Sequence, residues 1–312
     1  MSKEKRRKPY GPISILDFQK RFPDEKSCLD YLIKMRWPDG FECPSCRKNS
    51  SCFNQKRKVF ECYSCRTQTS VTTGTAFHKS RQPLQKWFWA IFLMSSSKKG
   101  VSMLYLQDQL GIKSYRTVWL MGQKIRKAML QRDALYQITN SAQVDEILIG
   151  GKQSRKNIRK KGSNKTAFLI AVEETEDGRP RYVSFEELAN LGGLDIGPAL
   201  EKKVKTGAKI KTDGHNAYTD AAKSGKYKVK QVSHNQNPEK AHEHLKWVNT
   251  LTSNLKRFLL STYHGIHPQY RQAYLAEFAY RFNRRYWPEE AFDRLLFACL
   301  NTQPTTLPEL RA

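Results

Sequence analysis

Two short cysteine pairs, "CPSC" at 43–46 and "CYSC" at 62–65, constrain what this chain can fold into more than any other feature. Together they read C-x2-C-x15-C-x2-C. Each pair sets two thiols on one side of a tight knuckle, and two knuckles complete the tetrahedral four-sulfur site of a zinc ribbon. So small a segment buries too little apolar surface to fold alone, so the ion is expected to supply much of its folding free energy. A redox CxxC is the alternative, and two pairs at this spacing disfavour it. The closed set Cys43, Cys46, Cys62 and Cys65 implies a structural zinc rather than a catalytic one. Cys28, Cys52 and Cys299 lie outside the pairs and read as buried, unreactive thiols.

The charge balance narrows the partners. Against 29 Asp+Glu stand 55 Lys+Arg, a formal net of +26 over 312 residues. Such an excess points to a polyanion, with nucleic acid ahead of an anionic membrane. Disorder is a poor explanation for it, because 39% of the residues are apolar and 15 Phe, 14 Tyr and 6 Trp imply packed cores. No run of about 18 apolar residues occurs, so no membrane span is expected. The start "MSKEKRRKPYG" is basic and lacks the apolar stretch of a secretory signal. It reads as a solvated tail able to touch phosphate, and a cytoplasmic, nucleoid-associated location is expected.

Periodicity divides the chain. Residues 1–40 read as a basic tail and two short helices broken near Pro23, and 41–80 as the ribbon. Residues 81–135 read as helical, and 140–290 as a mixed α/β domain. The last stretch, 291–312, reads as a C-terminal tail. Within the helical region, "GVSMLYLQDQLGIKSYRTVWLMGQKIRKAM" has the form of a helix-turn-helix. Gly111 fits the turn, Ser114 fits an N-cap, and the second helix starts near Tyr115. Arg116, Lys124 and Arg126 are then expected to face DNA. An ordinary helical hairpin is the alternative.

Four strand patterns follow, "QVDEILIGG", "TAFLIAVEE", "RYVSFEEL" and "AKIKTDG". Alternation sends Asp145 and Glu146 to opposite faces, so they cannot share a site. Asp213 falls where a strand meets a Gly turn, a usual place for a ligand-reaching residue, although a solvated turn explains it equally. Helix returns in "WVNTLTSNLKR", where Asn249 and Lys256, seven residues apart, lie within about 20° of one face. Glu243 lies about 120° off that face, whereas His242 is a better neighbour if the helix begins that early. Two carboxylates brought together repel unless cations neutralise them, and a pair of Mg2+ or Mn2+ ions suits in-line phosphoryl displacement. Strand Asp, strands, strand-end Asp and then a helical third ligand is the order of a ribonuclease-H-like sheet. The expected fold is therefore multidomain: a β zinc ribbon, an α helix-turn-helix and an α/β ribonuclease-H-like mixed sheet.

"KQSRKNIRKKGSNK", residues 152–165, has seven Lys/Arg and no acid. Lys152, Arg155, Lys156, Arg159, Lys160 and Lys161 are candidates for holding DNA phosphates near Asp145, with a merely solvated loop as the alternative.

"RWPDGFECPSC", "CYSCRTQTSVTTGTAFHKS", "VDEILIGGK", "KTDGHNAY", "NLKRFLLSTYHG" and "YLAEFAYRFNRR" together resemble the ISXO2-like bacterial insertion-sequence transposases, which join a zinc ribbon to a DDE-type domain. The resemblance implies that Asp145 and Asp213 are the first two metal-binding acids. Asn249 stands where many relatives carry Glu, Lys256 matches the following Lys, and His244 matches a His ahead of the third ligand. It further implies binding to the double-stranded inverted-repeat ends of an element, and metal-dependent cleavage with 3'-OH strand transfer into target DNA. A homodimer or larger assembly on DNA is expected. An Asn oxygen still ligates a hard cation while giving up one charge. A non-catalytic, repurposed DNA-binding protein and a nuclease without strand transfer remain as alternatives.

Overall fold

A computed structural model of the chain describes residues 13–150, 165–189, 193–213, 218–219, 223–232 and 243–311. The basic tail at 1–12 and the basic residues Lys152, Arg155, Lys156, Arg159, Lys160 and Lys161 lie outside the described residues. So does His242. The chain divides into two compact units. The first comprises residues 1–97, 103–128 and 286–312, and the second comprises 98–102 and 129–285.

The first unit is helical with the ribbon inserted. Helix α1 (Ile15–Arg21) is capped by Ser14, whose hydroxyl accepts from the Asp17 N–H. Helix α2 (Glu25–Arg36) starts on a reciprocal Asp24/Ser27 capping box. Strands β1 (Ser51–Asn54), β2 (Val59–Cys62) and β3 (Gln68–Ser70) form an antiparallel three-stranded sheet in that order. Its small core stacks Phe41 on Phe60, with ring centroids 4.4 Å apart, beside Trp37, Cys43 and Cys62. Helices α3 (Leu84–Ser96), α4 (Met103–Leu110) and α5 (Tyr115–Asp133) follow. The turn between α4 and α5 is made by Gly111 at φ +55°, a conformation that costs glycine little.

The C-terminal segment is not a tail. Residues 291–300 form helix α9 (Ala291–Leu300), with the shorter α10 (Leu307–Arg311) after it. Phe292, Leu295, Leu296 and Cys299 recur at helical spacing and are buried. Phe292 packs edge-on against Phe18 of α1, and the Arg21 guanidinium pairs with Asp293 at 3.0 Å. That stripe was readable in the sequence, but a short segment at a chain end gives no hint of what it packs on.

The second unit is a five-stranded mixed sheet with helices on both faces. Its strands are β4 (Ser141–Ile149), β5 (Thr166–Glu174), β6 (Pro180–Leu188), β7 (Lys209–Thr212) and β8 (Lys228–Gln231). The spatial order is β6-β5-β4-β7-β8, with β5 antiparallel to both neighbours and β4, β7 and β8 mutually parallel. This order and these directions are those of a ribonuclease-H-like sheet. Strand β5 reads as an almost unbroken apolar run because both its faces are covered. On one face Ala142, Val144 and Ile210 pack with Ile196, Ala199 and Leu200 of helix α6 (Gly193–Lys203). On the other, Ile147, Ile149, Ile170 and Val172 pack with Val248, Leu251 and Leu255 of helix α7 (Lys246–Thr262) and Leu275 and Ala279 of helix α8 (Arg271–Asn283).

Candidate active site and zinc site

The four ribbon sulfurs lie within 4.8 Å of one another, with Cys43–Cys65 and Cys46–Cys62 Sγ separations of 3.5 Å. Ligands at about 2.3 Å from a tetrahedral zinc stand nearly this far apart, so the donor set fits the ion. The two knuckles repeat each other bond for bond. Arg47 N–H donates to the Cys43 carbonyl and Arg66 N–H to the Cys62 carbonyl. Arg47 and Arg66 each take a left-handed conformation, at φ 59° and 60°. The Thr67 hydroxyl first, then its backbone N–H, hold the Cys65 thiol down at about 6. Thiolates this crowded repel one another without a cation between them.

In the second unit, register decides the geometry. Parallel pairing of β4 with β7 sets Ser141 beside Lys209 and Gln143 beside Lys211. Asp145 stands two residues past Gln143 in β4, and Asp213 two past Lys211, one residue beyond the end of β7, so the same register carried one step further would set them at one level. Both alternate with residues of the α6 face, Val144 and Ile210 among them, and so belong to the α7 face. Both are half-buried. Glu146 takes the opposite face, as alternation required. There it lies against the phenol of the fully buried Tyr218, whose ionisation is pushed far up by burial first and by Glu146, Asp145 and Asp213 after it.

Helix α7 is tied to this strand pair by hydrogen bonds that the sequence did not reveal. Its N-cap, Leu245, has no capping side chain. Instead the Gln143 Oε1 accepts from the backbone N–H groups of Trp247 and Val248, at 2.9 and 3.2 Å. These are donors that a helix start leaves without partners. The same amide donates through Nε2 to Glu174 Oε1 at 2.7 Å, and Glu174 Oε2 pairs with Lys211 Nζ at 2.7 Å. His244 Nε2 lies 3.0 Å from the Lys230 carbonyl of β8, an acceptor to which the ring N–H donates. Desolvation foremost, then the Lys211 and Lys230 charges, lower its pKa. The signal available in the sequence was the polar Gln143 on the same strand face as Asp145, where an apolar residue is the rule.

Asn249 and Lys256 lie on one flank of α7, Asn249 half-buried and Lys256 exposed. The Trp247 indole N–H reaches the Gly178 carbonyl in the β5–β6 turn. Asn249, two residues or about 200° further round, is therefore turned away from that hairpin and toward the β4–β7 side. Among the expected ligands, Asp145 and Asp213 both lie near enough to Tyr218 to act on its ionisation, and Asn249 lies on the flank of α7 away from the β5–β6 turn.

The DNA-facing set expected on α5 needs correction. Arg116 is exposed in the first turn, where the Ser114 hydroxyl accepts from the Thr117 N–H. Lys124 and Arg126 are buried, at 7% and 0% exposure, and Lys124 Nζ donates to the His78 carbonyl. The reason is that residues 121–126 are covered all round, so α5 has no solvent face there. Basic residues on a helix report an outer face only when one side of that helix is open.

Among the described residues no helix is long and apolar enough to cross a membrane. Residues 23–68 match the transposase zinc-ribbon domain, and residues 137–283 match the ISXO2-like transposase domain. A protein in transposable element ISH50 of Halobacterium salinarum is 31% identical over 113 residues, covering 35% of this chain and 37% of that protein. The match thus spans little more than a third of that relative. Among solved structures, the simian T-cell lymphotropic virus intasome in complex with PP2A regulatory subunit B56 gamma aligns at 11% identity and TM-score 0.29, over 61% of this chain and 65% of that one. The Mos1 strand transfer complex aligns at 10% identity and TM-score 0.22, over 66% and 79%. Scores this low carry no assignment. The two matched domains, one on each side of the helical segment and both in the order the motifs gave, do carry one: the chain belongs to the ISXO2-like insertion-sequence transposases.

Proposed function

We propose that this transposase binds the double-stranded inverted-repeat ends of its element and catalyses strand cleavage followed by 3'-OH transfer into target DNA. The observation that supports the reading is the parallel register of β4 and β7, which leads toward Asp145 and Asp213 on the sheet face covered by the helix that bears Asn249. Two half-buried carboxylates brought to one level repel each other, and a pair of hard divalent cations relieves that repulsion. Asp145, Asp213 and the Asn249 side-chain oxygen would hold Mg2+ or Mn2+, which supplies Lewis acidity to the attacking and leaving oxygens of an in-line displacement. Water attacks the phosphodiester and the 3'-oxygen leaves as a hydroxyl; that hydroxyl then attacks a target phosphodiester, expelling another 3'-oxygen. No covalent protein intermediate is required, so no nucleophilic side chain is assigned. Lys256, exposed on the Asn249 flank, is suited to hold a phosphate oxygen. Arg116 and the first turn of α5 would approach the DNA, as would Lys152, Arg155, Lys156, Arg159, Lys160 and Lys161. Two copies on DNA would pair the element's ends.

Mixing zinc-loaded protein with the element's ends and Mg2+ or Mn2+ tests this. Wild type should yield nicked ends and joined products, and Asp213→Ala neither. The amide at 249 also favours a retired enzyme kept for DNA binding. That reading wins if wild type and Asp213→Ala are equally inert while Asn249→Glu restores joining. Nicks without joined products identify a nuclease instead.

A further inference from the structure

Beside the acidic pair, strands β7 and β8 carry a feature to which the reading above gives no role. Their parallel register sets Lys209 directly beside Lys228 and Lys211 beside Lys230. Ile210 and Val229, the residues between, pack on the α6 side, so all four lysines project from the opposite, α7 face. Lys211 is neutralised by Glu174 at 2.7 Å. Lys209, Lys228 and Lys230 are exposed, and among the described residues none of the three is in a salt bridge.

Like charges directly opposite each other on neighbouring strands are destabilising. Lysine on an edge strand is a known guard against edge-to-edge pairing, which would account for β8. It does not account for β7, an inner strand, nor for matching each β7 lysine with one on β8. The ladder also has a direction. Two residues on from Lys211, one past the end of β7, stands Asp213, about 6.7 Å further if the chain stays extended. Positive charges thus line the sheet surface up to the point where the acids begin.

Resting on the transposase reading, we infer that Lys209, Lys228 and Lys230 form a sequence-independent track for the phosphate backbone of a DNA duplex, along which the strand to be cut reaches the acidic pair. The match is one of charge. Successive lysines on one strand are spaced comparably with neighbouring phosphates of one DNA strand. Their ammonium groups, on flexible stems, suit phosphate binding without base readout.

The test is lysine acetylation of the full, zinc-loaded chain with and without a short mixed-sequence DNA duplex, read residue by residue by mass spectrometry. Lys202, exposed on the α6 side and paired with Glu186 at 2.7 Å, is the internal control. Lys209, Lys228 and Lys230 should be protected by DNA while Lys202 is not. The variant Lys209→Gln/Lys228→Gln/Lys230→Gln should retain its melting temperature. Its slope of log affinity against log salt should be shallower, by roughly 0.9 for each phosphate that the variant no longer neutralises. If DNA is bound and these lysines react as fast as in its absence, the track is wrong and the transposase reading stands. Unchanged salt dependence in the variant overturns the track in the same way. Protection by an RNA duplex but not by the DNA duplex overturns DNA as the occupant. If the chain binds no duplex even at low salt, the track and the DNA-directed function fall together.

Discussion

Gln143 offers the sharpest test of how the helix bearing Asn249 is held. Gln143→Met keeps the length and approximate volume of the side chain and removes its hydrogen bonds. Two backbone donors at the start of α7 lose their acceptor. Losing an N-cap costs about 0.5–2 kcal/mol. The Nε2 donation to Glu174 also disappears, and a hydrogen bond to a charged group contributes about 1.5–3 kcal/mol. Glu174 keeps Lys211 and the Ser141 hydroxyl, which favours the lower end. The expected destabilisation is therefore about 3 kcal/mol, or roughly 6–12 °C in melting temperature for a domain of this size. Thermal unfolding gives the global value. Amide hydrogen exchange at Trp247 and Val248 gives the local one, and both amides should lose protection relative to Leu251 and Leu255. A variant within about 0.5 kcal/mol of wild type, with those two amides unchanged, would show that α7 is held by its apolar face alone and refute the argument. Gln143→Glu refines it. The new carboxylate faces Glu174, so one of the pair keeps its proton and has a raised pKa. That variant should match wild type in acid and lose stability as the pH rises through the raised value.

Three further outcomes follow from the geometry. Zinc should be present at one ion per chain; chelation, or Cys46→Ser, should abolish amide protection in β1–β3 while the aromatic core around Phe18 persists, whereas a ribbon unaffected by chelation would show the ion to be dispensable. Gly100→Ala should destabilise the second unit by about 1–3 kcal/mol, because Gly100 sits at φ +85° and an added Cβ would lie 2.6 Å from the Phe258 ring; unfolding in denaturant reads this directly, and no change would mean the loop relaxes freely. Burial pushes the Glu25 carboxyl up, but Lys58 and the Gln85 and Leu84 N–H groups outweigh it and hold the group below its ordinary 4.5. Its contribution should be full above about pH 4.5 and disappear as acid protonates it, so Glu25→Gln should be less stable than wild type at pH 7 and converge with it in acid, which melting curves across pH would check.

Several features were legible in the residues because the physics behind them is local. The CxxC spacing dictates two knuckles wherever they sit in a fold. Gly111 and Ser114 specify a turn and a helix start within a few residues of themselves. Alternation separated Asp145 from Glu146 without knowledge of any neighbour. The strand patterns likewise gave a mixed sheet, and the motif set gave the family.

Other features depend on which parts of the chain meet. Lys124 and Arg126 look like a basic helix face until burial in the fold closes that stretch of α5. Phe292 and its partners look like a tail until α1 and α3 supply an opposing surface. Gln143 acquires its role from Trp247 and Val248, more than a hundred residues away, and the lysine ladder exists only because β7 and β8 pair in one register. A one-residue slip in that pairing would turn each side chain of β8 to the other face. The sequence by itself therefore determined the zinc ligands, the secondary structure around the acids and the chemistry these residues are capable of. Tertiary structure alone decided the register of β4 with β7 that leads toward Asp145 and Asp213, the anchoring of α7 and the row of positive charge beside them. Propensity and spacing act over a few residues, whereas register and burial are set by segments far apart in the chain coming together.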